Sequence, residues 1–260
     1  MSPPRLLILS PHSDDSAFSI GGILAAKTAF HGWSIHQLTV FVGSIHAPYA
    51  PQHTTEEAIT ALRCREDDAF CMFHGIQLDR LEFKETLLRG YPSIPAIFAV
   101  NEPQDDPIYG AVCEAVQEAV SGFDLVLAPL GIGGHIEHIM VREACRQLCS
   151  HALFYEDLPY AGDYSNLQLD AFVASVLPGA QCRTFDINQG LGIKVERLLG
   201  YASQVTARDL DKVIGYSFVR RSAADVACKP GGQTGTSFGP VELLWGRADV
   251  LARIDHEGRI

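Results

Sequence analysis

The sequence predicts an α/β fold, a Rossmann-like, doubly wound and mostly parallel sheet flanked by helices. Three observations carry that expectation. The runs Leu6-Leu7-Ile8-Leu9 and Leu125-Val126-Leu127-Ala128 are apolar without alternation, as strands buried on both faces of a parallel sheet are. Both stop at a proline, Pro11 or Pro129, and both lead into a loop rich in polar residues or glycine. Stretches with helical spacing separate the strand-like runs, which is the pattern of successive βαβ units. The chain has 260 residues, enough for a large core in a single domain spanning 1–260 without disulfide support.

Taken in order, 5–10 reads as the first strand and 17–30, with Gly21-Gly22 among alanines, as a helix. Ser34 to Gly43 is rich in β-branched and aromatic residues and reads as the second strand. Residues 55–74 carry Ala58, Ala61, Leu62, Ala69, Phe70 and Phe73 at helical spacing among charges, and Ile76 to Phe83 follows as a strand. After a loop from Gly90 to Pro107 come a helix near 108–121, the strand 125–128, the loop 131–134, a helix over 135–151 and the strand 152–155. Beyond about 160 the pattern weakens and an irregular C-terminal extension is expected. There Phe172 to Val176 and Cys182 to Asp186 suit strands, 190–204 a helix, and 230–240 a loop.

Charge and cysteine usage narrow the function classes. Twenty basic against 31 acidic residues give a net charge of −11, and no Lys/Arg run offsets it, which argues against a nucleic-acid backbone or an anionic membrane surface as partner. No apolar run approaches bilayer length, so a cytoplasmic protein is expected. Seven cysteines without a C-x-x-C pair read as reduced thiols rather than a zinc site. Small polar or cationic ligands remain open, as does a homo-oligomer.

Chemistry concentrates at two strand ends. The first strand runs into Pro11-His12-Ser13-Asp14-Asp15-Ser16. In open α/β sheets ligands bind at the carboxyl ends of strands. A helix N-cap would account for one of these acids, but not for His12 and two adjacent carboxylates, whose repulsion favours a nearby cation. After the strand 125–128, Gly131-Ile132-Gly133-Gly134 leads into His135-Ile136-Glu137-His138. Two histidines at i,i+3 share a helix face and are weak evidence alone. Together with the first cluster they suggest a mononuclear site, since two histidines and one carboxylate with an open fourth position are a ligand set of catalytic zinc.

These motifs resemble those of the LmbE-like, or PIG-L, zinc-dependent N-deacetylases, whose signatures are (A/P)-H-P-D-D-E and H-P-D-H. Arg63-Cys64-Arg65-Glu66, Tyr155 to Tyr160 and Lys194 through Tyr201-Ala202-Ser203-Gln204 resemble further segments of that family. The resemblance implies that His12, Asp15 and His138 hold Zn²⁺, with Fe²⁺ also accepted by such ligands. It makes Asp14 the general base toward metal-activated water and His135 the electrophilic or acid partner. Glu137, where the family usually has Asp, would fix the tautomer of His135 through a hydrogen bond. Ser13, Ser16 and Ile136-Glu137 depart from the signatures without removing a ligand or the base.

Removal of an N-acyl group, most simply acetyl, from an amino-sugar-like or small natural-product substrate is the implied activity. The alternatives are hydrolysis of another C–N bond, such as a thiol-conjugate amide, and a metal-containing binding module without catalysis. Weaker candidates for substrate contact are Arg63, set against a helix-surface ion pair, and Glu156, Asp157 and Tyr160, set against a solvated loop. His46 and His53 are left outside the metal site, and Gly131 to Gly134 lacks the register of a nucleotide loop.

Overall fold

The computed structural model describes residues 2–99, 102–227 and 239–256. Five parallel strands form its centre: β1 (Arg5–Ser10), β2 (Ser34–Gly43), β3 (Gln77–Lys84), β4 (Leu125–Pro129) and β5 (Ala152–Tyr155). Two later strands, β6 (Gln181–Asp186) and β7 (Val241–Gly246), add an antiparallel edge, with β7 pairing both β5 and β6. The order is β3-β2-β1-β4-β5-β7-β6. Chain order therefore reverses between β1 and β4, and a crevice opens outside their carboxyl ends. The apolar runs behave as their composition requires, with Leu6, Ile8, Leu125 and Leu127 wholly buried.

Helices α1 (Asp15–Ala26) and α2 (Glu56–His74) carry the crossovers from β1 to β2 and from β2 to β3. After the short α3 (Ile94–Ile97), α4 (Tyr109–Val120) and α5 (Ile136–Leu148) pack on each other and flank β4. Right-handed crossovers put the first pair on one face of the sheet and the second pair on the other. Gly22 in α1 has a packing reason: a Cβ there would stand 2.6 Å from Ile187 Cδ1 and from Glu242 Oε1, and the Gly22 N–H donates to that carboxylate. The same buried Glu242 pairs with Lys194 of α7 (Leu191–Leu198) at 2.6 Å and ties α1, α7 and β7 together.

Past residue 160 the chain is more regular than expected. Phe172 to Val176 belongs to α6 (Asn166–Val176), not to a strand. Its start carries a capping box, Ser165 with Gln168, whose reciprocal bonds commit the segment to helix despite its apolar end. The helix read over 190–204 stops at Leu198, and α8 (Ala207–Ala227), α9 (Ala248–Leu251) and α10 (Arg253–His256) complete the set. Most of the loop expected over 230–240 lies outside the described residues. Of the seven cysteines, Cys64, Cys71, Cys113, Cys145 and Cys149 are free thiols. Cys182 is disulfide-bonded, against the expectation of seven reduced thiols, and Cys228 lies outside the described residues.

Candidate metal centre and active site

The two polar clusters meet in the crevice between β1 and β4. After β1 the backbone folds round Ser10, whose hydroxyl donates to the His12 carbonyl at 2.6 Å and accepts from the Ser16 N–H at 3.3 Å. Asp15 Oδ2 accepts the His12 backbone N–H at 2.7 Å. Asp14 occupies the N-cap position of α1, yet its side chain makes no capping bond, so its carboxylate is not engaged in ending the helix. After β4, Gly131, Gly133 and Gly134 have φ of +75°, +92° and +82°, a left-handed course that L side chains resist. A Cβ on Gly133 would stand 2.8 Å from Tyr160, so this glycine also lets the Tyr160 ring against the loop. His135 is the N-cap of α5, and its Nδ1 accepts the Glu137 backbone N–H at 3.3 Å.

Three buried donors converge on one point. His12 Nδ1 lies 3.2 Å from Asp15 Oδ2 and 3.3 Å from His138 Nε2, and His138 Nε2 lies 3.4 Å from Asp15 Oδ2. Ligands held about 2.0–2.1 Å from a tetrahedral zinc stand about 3.3 Å apart, so the triangle has the size such an ion requires. His135 belongs to a looser grouping, in which its ring nitrogen and those of His12 and His138 fall within 4.8 Å of one another. The outer nitrogens of the two converging imidazoles are both held by carboxylates. His138 Nδ1 is 2.7 Å from Asp157 Oδ1, and the other oxygen of that carboxylate, Oδ2, accepts the Ile132 N–H at 2.9 Å. His12 Nε2 is 2.8 Å from Glu137 Oε2. Such carboxylate–imidazole pairs fix the tautomer that turns a lone pair toward a cation.

Electrostatics follow from this packing. Burial opposes protonation of His12 and His138, but Asp15 together with Glu137 or Asp157 raises both above the ordinary histidine range. Burial drives His135 well below that range, and the neighbouring His12 and His138 push it further down. Burial raises Asp14 as well, partly offset by Arg63, whose Nη2 lies 3.7 Å from Asp14 Oδ1. Arg63 is itself held by Glu85 and by Ser44 Oγ at 2.8 Å. A cavity of about 280 Å³ opens over His12, Asp14 and His135, with Ile97, Phe98 and Tyr160 as an apolar wall. A roomier cavity of about 520 Å³ lies beside Cys149 and Pro178, away from this cluster.

Residues 7–149, more than half of the chain, match the family described as PIG-L: GlcNAc-PI de-N-acetylase. The chain belongs to the PIG-L family. The 2'-N-acetylparomamine deacetylase of Streptomyces fradiae is 35% identical over 210 residues, covering 77% of this chain and 73% of that protein. Among solved structures, a deacetylase–teicoplanin complex from teicoplanin biosynthesis superposes with a TM-score of 0.69 at 22% identity, over 93% of this chain and 97% of that one. The zinc-inhibited form of teicoplanin deacetylase gives 0.66 at 24% identity, with the same two coverages. These superpositions establish the shared fold, while the family and the paromamine relative make this PIG-L chain an enzyme of the deacetylase class. Among the described residues no helix is long and apolar enough to cross a membrane.

Within this PIG-L site the structure brings His12, Asp14, Asp15, His135, Glu137 and His138 together and corrects several finer expectations. Glu137 does not serve His135. Its Oε2 is 3.9 Å from His135 Nδ1, which already accepts a backbone N–H, and the longer Glu side chain reaches His12 instead. Arg63 is not a helix-surface pair: it is 5% exposed, bound by Glu85 and Ser44, and lines the cavity beside Asp14. Its motif partner Glu66 accepts the N–H and hydroxyl of Ser203 at 2.9 and 2.6 Å, which joins two of the family-like segments. Glu156 is no pocket residue, because Tyr216, Arg220 and Trp245 enclose it on the far side. Asp157 stands behind His138, not in the cavity, and Tyr160 does line the cavity. Reading the sequence missed Glu85, Arg89 and Asp106, single charges in irregular segments with no spacing to mark them.

Proposed function

We propose that this protein is a metal-dependent N-deacetylase in which His12, Asp15 and His138 hold a divalent ion, with Zn²⁺ as our assignment and Fe²⁺ compatible with the same donors. The observation that carries this is the triangle of 3.2, 3.3 and 3.4 Å with a carboxylate behind each imidazole. Asp15 completes the set better than His135, because its oxygen closes the triangle at bonding size whereas the histidine grouping is looser. When bound, the ion supplies Lewis acidity toward an amide carbonyl and toward water.

The remaining work falls to side chains. Asp14 lines the cavity with a carboxylate free of capping duty, and it takes the proton from the attacking water. Burial raises its pKa, which makes it a stronger base than an exposed aspartate. His135 accepts at Nδ1 from a backbone N–H, so the neutral ring carries its proton on Nε2. In that form it donates a hydrogen bond to the carbonyl oxygen as negative charge develops there. Phe98 and Tyr160 flank the ring at centroid distances of 5.3 and 6.5 Å and keep it in place.

The substrate we assign is an N-acetylated amino sugar of an aminoglycoside-type small molecule. The paromamine relative supports the class, and the acidic balance of the chain suits a substrate with other protonated amines. Acetate release from N-acetylated aminoglycosides, N-acetylglucosamine and a thiol-conjugate amide tests this directly. Turnover is expected on the first group; turnover on the thiol conjugate alone would overturn the assignment.

A further inference from the structure

Behind Glu137 lies a set of buried groups that no motif marks. The Glu137 carboxylate is wholly buried, and both of its oxygens are engaged, Oε2 with His12 Nε2 at 2.8 Å and Oε1 with Arg89 Nη1 at 2.5 Å. The other prong of the guanidinium donates to Asp106 Oδ2 at 2.7 Å. Asp106 is fixed in turn by the Tyr91 hydroxyl at 2.9 Å and the Ile108 N–H at 3.1 Å. Arg89 Nη1 also donates to the Lys84 carbonyl at the end of β3, at 2.5 Å, and the guanidinium lies 5.3 Å from the centre of the Phe41 ring. Arg89 is thus held from several sides, with one prong on each of two buried carboxylates.

We infer that Arg89 is a positioning residue that clamps Glu137 onto His12, and that the resulting Arg89–Glu137–His12 relay tunes how firmly His12 binds the cation. The inference rests on the proposed reading of His12 as a metal ligand. Arg89 fixes Oε1 of the wholly buried Glu137 carboxylate, which leaves Oε2 aimed at His12 Nε2. Glu137 Oε2 accepts the Nε2–H of His12, which leaves the Nδ1 lone pair facing Asp15 and His138 and makes the imidazole a better donor. The one methylene that separates Glu137 from the family's aspartate gives the reach to span His12 and Arg89 together. His135, left without a carboxylate, accepts the Glu137 backbone N–H at Nδ1 instead.

The test measures Zn²⁺ affinity by chelator competition, and the visible absorption of the Co²⁺-loaded protein, for the wild type, Arg89→Lys, Glu137→Gln and the double variant, each checked as folded by near-ultraviolet circular dichroism. Arg89→Lys keeps a buried positive charge but cannot bridge two carboxylates. Expected are affinities about tenfold weaker for Arg89→Lys and about ten- to hundredfold weaker for Glu137→Gln, with shifted Co²⁺ bands in both. The double variant is expected to bind no more weakly than Glu137→Gln alone, because Arg89 acts through Glu137. A folded Arg89→Lys with wild-type affinity and spectrum would overturn this inference and leave the proposed function standing. A wild-type protein without divalent-metal affinity would overturn both.

Discussion

Glu156 and Asp157 are neighbours in the chain, both buried and both just past β5, yet they belong to different regions with different work. Asp157 turns toward the crevice between β1 and β4 and orients His138 at 2.7 Å. Glu156 turns the other way and gathers Arg220 at 3.0 Å, Trp245 Nε1 at 3.0 Å and the Tyr216 hydroxyl, so it ties α8 to β7. Successive side chains leaving a strand point to opposite sides. The adjacent acids after β5 are therefore not one site, unlike Asp14 and Asp15 after β1. In this molecule one acid serves the candidate metal and the other the fold, and stability and chemistry should separate cleanly between them.

The sharpest separation is expected inside the site itself. Asp14→Asn should lower turnover about a hundredfold to ten-thousandfold, the usual share of a general base, with metal content and unfolding midpoint near wild type. On the far side, Glu156→Gln should cost about 1.5–3 kcal/mol by weakening the charged hydrogen bonds from Arg220, which keeps its pair with Asp170 at 2.7 Å, with the Zn²⁺ affinity of the folded fraction unchanged. Denaturant unfolding and chelator competition on the same preparation read both. Asp157→Asn should do the reverse, weakening metal affinity about ten- to hundredfold with a modest change in stability. If Glu156→Gln lost metal and Asp157→Asn lost mainly stability, the division between the two regions would be wrong.

A smaller effect lies in a third place, beneath α2. Burial raises the Asp67 carboxyl to about 7, against Arg80 and the hydrogen bonds from Thr39 and Gln37. Because the folded value exceeds the unfolded one of about 3.9, this group's stabilising contribution is complete below that value and fades as pH rises through about 7. Asp67→Asn should therefore gain stability relative to wild type between pH 5 and pH 8, by a melting-temperature comparison at the two values. An unchanged difference would mean that Asp67 is ionised throughout.

Much of the sheet was legible because its strands are short apolar runs that only a doubly buried strand explains, as in Leu6 to Leu9 and Leu125 to Ala128. Of the antiparallel edge, β6 was read at 182–186 but β7 was not, since Val241-Glu242-Leu243-Leu244-Trp245 mixes one buried acid into an apolar run, and that acid is satisfied by Lys194 and α1, remote in sequence. Residues 172–176 misled because Phe and Val favour strands, although the Ser165–Gln168 capping box upstream marked a helix. The convergence of His12, Asp15 and His138 could be read from two polar clusters at two strand ends, where the switch of strand order brings them together. The partners of Glu137 could not. They depend on the length of one side chain, on Arg89, which reaches it from just past β3, and on Asp106 in the loop before α4, which holds Arg89.

The central claim is that His12, Asp15 and His138 hold the ion on which N-deacetylation depends. Metal-stripped protein titrated with Zn²⁺ or Fe²⁺, with bound metal and acetate release followed together in wild type and His138→Ala, addresses it directly. Wild type should take up a single ion per chain with turnover rising in proportion, and His138→Ala should lose both. Turnover without metal, or undiminished uptake by folded His138→Ala, would contradict the account.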